Sequence, residues 1–204
     1  MVVFFMRHLF VLLIIAGGLI GIGGCTTSTP QAKPLPDITF AHMPPFPVNV
    51  AVVNIESGYD PAQDSRDISS GFPAPPDVAL KSYAAHRLQP AGPSGRLTFI
   101  IENVFIHQTL VKPEGDFVGW LGVGREDLYE AEMKIRMHIE TEGQSGGTDS
   151  VLAIRRSLSI PQSYSVAEKE QEKFIFIEMM MKDVDTAVTS ALKDKMVSSS
   201  GYGR

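Results

Sequence analysis

Of the five histidines in the chain, His42, His86, His107 and His138 follow the first 25 residues. None stands at a metal-binding interval such as H-x-x-x-H, and there is no H-E-x-x-H helix. A site shared by His107 and His138 requires that the strands carrying them pair. Asp60, Asp64 and Asp67 in "DPAQDSRD" are spaced four and three apart with a proline between. A calcium loop takes oxygen ligands at alternate positions around a glycine, so these read as solvated loop acids. No G-x-S-x-G nucleophile elbow is present. "GWLGVGRED" is rich in glycine but is neither G-x-G-x-x-G nor set between a strand and a helix, which argues against a phosphate cradle. No catalytic residue and no metal site are expected. Cys25 is the only thiol in 204 residues, so no disulfide can form within the chain and a zinc site of several thiolates is excluded. It stands in "GIGGCTTS", between an oily run and a Thr/Ser/Pro tail, whereas a buried structural cysteine would lie inside an amphipathic element.

The oily run, "LFVLLIIAGGLIGIGG" at 9–24, carries no charge. It is shorter than the ~20 apolar residues of a membrane span and has the length and small-residue exit of a secretory signal. A basic segment should precede it, yet the chain opens on "MVVFF"; a start at Met6 would give Met-Arg-His-Leu-Phe, an ordinary export signal. Ile22-Gly23-Gly24-Cys25 resembles the bacterial lipobox: an aliphatic residue, two small ones, then cysteine. The resemblance implies cleavage between Gly24 and Cys25, diacylglycerol on the Cys25 sulfur and an acyl chain, such as palmitate, on the new amino terminus. These covalent lipids are the only groups expected, with no cofactor. Each buried methylene contributes ~0.8 kcal/mol, and several chains hold a protein on a bilayer where one does not. A free thiol beside an ordinary cleavage site and an uncleaved signal anchor are the other readings of this stretch. Thr26, rather than Asp, follows the cysteine. By resemblance to Gram-negative lipoproteins, that favours the periplasmic face of the outer membrane.

Removing Arg7 with the signal leaves 17 of the 18 basic residues against 23 acidic ones, a net charge of −6. There is no basic block, which argues against nucleic acid as a partner. "TTSTPQAKPLPDITFAHMPPFP" at 26–47 contains six prolines and reads as a tether able to span roughly 60–70 Å. Its Phe40, Met43 and Phe46 suggest that the end of it lies against the body. The expected organisation is a signal at 1–24, a lipidated tether at 25–47, a globular domain at 48–197 and a loose tail at 198–204.

Within that domain, "VNVAVVNI" at 48–55 reads as a buried strand, followed by a long polar loop. After Asp77, Leu80, Ala84 and Leu88 fall on one helical stripe, ended by Pro90 and Gly92. "LTFIIENVFIHQTLV" at 97–111 predicts a second strand whose oily face switches, calling for a bulge near Asn103. In "YEAEMKIRMHIE" at 129–140 apolar and polar residues alternate over twelve positions, one face buried and one wet. Residues 151–160 return as a fourth strand, with Leu152, Ile154, Leu158 and Ile160 on one face and Arg156 an exception. Ser165 and Glu168 form a capping box. The stripe Phe174, Ile177, Met181, Val184, Val188, Ala191 then predicts a helix to about Met196. Strand, helix, three strands, helix makes an α+β sandwich of two layers: a mainly antiparallel four-stranded sheet with both helices on one face.

"EGDFVGWLGVGRED" interrupts this order with the only tryptophan, Trp120, beside Phe117, Leu121 and Val123. Either these side chains fold back on the sheet or extend its strands, or they form an aromatic contact for a protein partner, a lipid or the membrane interface. Anchor, tether and domain layout together resemble the envelope lipoproteins that assist ABC-type transport or outer-membrane assembly in Gram-negative bacteria. The resemblance implies a non-catalytic accessory or binding component of an envelope complex. A structural envelope lipoprotein and a periplasmic hydrolase are the alternatives.

Overall fold

The computed structural model describes residues 35–112, 124–142 and 146–200, the last six of these by their backbone alone. In chain order the elements are β1 (Phe46–Val48), β2 (Val52–Ser57), α1 (Pro76–Arg87), β3 (Leu88–Pro90), β4 (Arg96–Val111), β5 (Glu126–Glu140), β6 (Thr148–Pro161) and α2 (Val166–Ser200). Short 3-10 turns at Pro61–Gln63 and Ser69–Gly71 break the long loop between β2 and α1. The main sheet runs β2-β4-β5-β6, and β1 pairs with β3 in a small second sheet.

β5 organises the sheet. Its alternation places Tyr129, Ala131, Met133, Ile135 and Met137 on the buried face, while the intervening charged residues stay accessible. β4 matches it residue for residue: Phe99 opposes Met137, Ile101 opposes Ile135, and Ile106 opposes Ala131. The register slips between Ile101 and Asn103, where the sequence predicts a bulge. That extra residue lets Leu97, Phe99 and Ile101 share a face with Val104 and Ile106 despite the break in alternation.

The sheet is mixed. β4, β5 and β6 are antiparallel neighbours, but β2 runs parallel to β4 because α1 lies in the connection between them and carries the chain back. Both helices cover the same face. Leu80, Tyr83 and Ala84 of α1 are buried there, and so are Phe174, Ile177, Met180, Met181, Val184, Val188 and Leu192 of α2. Met179 is exposed, so two of the three consecutive methionines belong to the core. The capping box forms: Ser165 N–H donates to Glu168 Oε2 at 2.7 Å, and Glu168 N–H donates to Ser165 Oγ at 3.3 Å.

Three expectations need correction. The segment 48–55 is two strands, kinked at Asn49–Ala51, where Ala91 N–H donates to Val48 O and Gly92 N–H to Val50 O. A Cβ on Gly92 would lie 2.6 Å from the Asn49 backbone, so glycine alone permits the approach. Second, its outer part is no buried strand. β2 is at an edge, and Val52 and Ile55 are exposed. Third, helical backbone continues to Ser200, past the residue where the loose tail was expected.

Residues 35–47 lie against this body. Phe40 is buried edge-on to Tyr83, with centroids 5.2 Å apart, and Leu35, Ile38, Met43 and Phe46 pack partly on the core. Arg87 at the end of α1 donates to the Pro44 carbonyl. The same buried guanidinium pairs with Asp185 of α2 at 2.8 Å, and Tyr83 donates to that carboxylate at 3.0 Å. Burial first, and the adjacent Asp185 charge second, hold the Tyr83 phenol far above its ordinary range.

Candidate functional site

Gly24 and Cys25 lie outside the described residues, as do Phe117, Trp120, Leu121 and Val123. The ends of the two strands that flank them in the chain are described. Val111 opposes Glu126 and Leu110 opposes Asp127, so residues 113–123 connect the open ends of β4 and β5. Gln162 N–H donates to Arg125 O at 2.9 Å, bringing the start of the link to α2 to the same end. Apolar side chains are exposed here: Leu110, Val111, Tyr164 and, at 79%, Val166. Beneath them Asp127 is buried, accepting from Lys169 Nζ at 2.9 Å and Gln162 Nε2 at 3.3 Å. Burial pushes its carboxyl upward, but the hydrogen bonds from Lys169, Gln162 and Gln108 outweigh this and hold it below the usual range. Lys173 lies 5.5 Å from the centre of the Tyr129 ring and 5.6 Å from that of Phe72. This corner is tied by buried hydrogen bonds below and is oily above.

The face of the sheet opposite the two helices is, among the described residues, a lattice of ion pairs. Glu102 takes Lys134 at 2.9 Å and the Arg136 Nε at 2.5 Å, and these hydrogen bonds lower its carboxyl from the ordinary value. Arg155 Nε pairs with Glu132 at 2.8 Å, and Arg136 also reaches Asp149 at 3.7 Å. His107 Nε2 is 3.1 Å from Glu130, and His138 Nδ1 is 2.7 Å from Asp149. Although β4 and β5 pair, the two histidines do not meet. His107 opposes Glu130 and His138 opposes Thr98, nine residues along the sheet or roughly 30 Å.

An open depression of about 470 Å³ on this face is lined by Phe105, His107, Glu130, Glu132, Arg155 and Ser157. The Arg66 guanidinium lies 5.7 Å from the Phe105 ring centre. His107 Nδ1, turned away from Glu130, has no hydrogen-bond partner among the described residues. His138 held by Asp149 resembles the oriented base of a hydrolytic triad, but its other nitrogen faces Glu140 at 3.6 Å, where a nucleophile would be needed.

The three loop acids are each engaged locally. Asp60 accepts from Ala62 N–H at 3.0 Å, and Asp64 accepts from both the backbone and guanidinium of Arg66, which hold its carboxyl at about 2. Asp67 is the one that sequence reasoning undervalued. It accepts from Tyr59 at 2.6 Å, from Ser69 N–H at 2.9 Å and Oγ at 3.0 Å, and from Ile106 N–H on β4 at 3.1 Å. Burial, then this hydrogen bond, pushes the Tyr59 phenol up to about 12. The Asp-x-Ser spacing signals a local turn; the bond to a strand 39 residues away left no local signal. Among the described residues no group of three or more His, Cys, Asp or Glu could hold a metal ion, and no helix is long and apolar enough to cross a membrane.

No family model matches the chain, and no curated protein matches it. Among solved structures it is similar to rare lipoprotein B from Shewanella oneidensis, at 12% identity and a TM-score of 0.37, over 71% of this chain and 96% of that one. It is also similar to a minor lipoprotein from Acinetobacter baumannii, at 14% identity and a TM-score of 0.36, over 71% of this chain and 94% of the other.

Proposed function

We propose that the chain is a lipid-anchored lipoprotein of the cell envelope, held at the periplasmic face of the outer membrane, where its body serves as a non-catalytic accessory of a transport or assembly complex. The observation that carries this reading is the placement of Cys25. It ends an uncharged apolar run, follows Ile22-Gly23-Gly24, and precedes a proline-rich polar segment. Two acyl signals at that sulfur and amino terminus make the attachment stable. Because Phe40 is buried and Leu35 already packs on the core, the leash is shorter than its composition implies. The ten residues from Cys25 to Leu35 reach at most about 35 Å when fully extended. A body kept that near a bilayer meets membrane-bound partners, and the oily corner of Leu110, Val111, Tyr164 and Val166, adjoining Phe117 and Trp120 in the chain, supplies the contact.

Labelled palmitate fed to cells should enter the wild-type protein and not Cys25→Ala; label persisting in the variant sinks the anchor. For the contact, Trp120→Ala and Phe117→Ala should lose a membrane complex in pull-down at unchanged Tm. A lowered Tm would mean instead that these rings are core.

A further inference from the structure

The main sheet has two edges, and they are finished differently. On one side β2 is only six residues long, and where it stops the loop takes over. Gly58 N–H donates to Ile101 O and Ile68 N–H to Ile106 O, each at 2.9 Å, while Asp67 accepts from Ile106 N–H. On the other side β6 runs for 14 residues in unbroken register with β5, and its sole proline is its last residue. Among the described residues no strand pairs with its outer edge. Natural edges are blunted by shortness, proline, bulges, charged side chains on the edge or charges directed inward. From Thr148 to Arg155 β6 has no proline, no bulge and no inward charge, and its only two charges, Asp149 and Arg155, are of opposite sign and lie on the open face. The single charge on its helix-covered side, Arg156, is taken up by Asp183 of α2 at 2.5 Å.

We propose that this edge receives the same edge of a second copy, β6 antiparallel to β6, about a twofold axis at Leu152. A bare strand edge is matched best by another extended strand, because each supplies the main-chain donors and acceptors the other lacks. The charges choose the copy and the register. Opposed residues in an antiparallel pair share a face, so a self-pair must match odd positions with odd and even with even. Under that constraint the axis at Leu152 is the one register that sets Asp149 against Arg155 of the second copy, and it does so twice. It also sets Val151, 50% exposed, against Ala153. An axis at Arg155 would instead oppose two arginines. Asp149 and Arg155 have accessible side chains, 49% and 69% exposed, so both can reach across while keeping their own partners on β5. The result is a continuous eight-stranded sheet with all helices on one side and the ion-pair lattice running unbroken across the other.

The test is the mass of the full chain in detergent micelles by light scattering across a concentration series, with two single charge reversals and their combination. Wild type should dimerise as concentration rises. Arg155→Glu and Asp149→Arg should each weaken the dimer by roughly tenfold, since like charges then face each other at two places. The double variant should recover it, with Tm close to wild type throughout. Arg155→Gln serves as a milder second variant should the reversal disturb Glu132. A monomer at every concentration, including one that captures a strand of another protein, overturns the proposal, and so does a dimer that ignores the single reversals or is not restored by the double.

Discussion

Ile135 and Arg136 are neighbours on β5, yet Ile135 has no exposed surface and the Arg136 side chain is 40% exposed among carboxylates. The two faces of the sheet therefore rest on different physics. The covered face excludes water, and each side chain there fills volume that nothing else would fill. The open face holds charges in solvent, where pairs are screened and hold two long side chains at an entropic cost. A strand of alternating character serves both at once, which is why one slip of register would be intolerable and why a bulge is needed at Ile101–Asn103.

The contrast can be broken most sharply at those two neighbours. Ile135→Ala should cost about 3 kcal/mol in denaturant unfolding, as a large-to-small change in a closed core. A loss under about 1 kcal/mol would mean that the covered face is loosely packed. Asp127 comes next, at the end of the covered face beneath the oily corner. Asp127→Asn should cost about 2 kcal/mol at neutral pH, since the buried carboxylate accepts charged hydrogen bonds. Its carboxyl is held below the unfolded value, so this contribution is complete above about pH 4 and fades as pH falls through the folded value. Wild-type and variant stabilities should converge in acid; a gap independent of pH would contradict the assignment. The smallest effect belongs to Arg136→Ala, expected to cost under about 1 kcal/mol and less in high salt, because Lys134 still pairs with Glu102.

Much of the covered face was legible. The alternation of β5, the capping box at Ser165 and the stripe along α2 are local patterns, and a local pattern decides which side of an element turns inward. The first strand was not legible, because its kink depends on Gly92, some forty residues later, and its exposure depends on lying at an edge. Val52 and Ile55 look like core until their neighbours are known. Arg156 was read as an exception and has a reason in Asp183, which no interval of strand or helix could reveal. The candidate contact, Phe117 and Trp120, rests on composition and the anchor Cys25 on a four-residue motif, and all three lie outside the described residues.

Asp67 decides where the chain before β4 is free to vary. One carboxylate gathers Tyr59, Ser69 and the amide of Ile106, and so splices a meandering stretch onto β4 where a longer strand would otherwise be required. The chain between Asp60 and Arg66 is thereby released from any duty to the ladder. Length and sequence can drift there at little cost to the body, while position 67 itself has no such freedom.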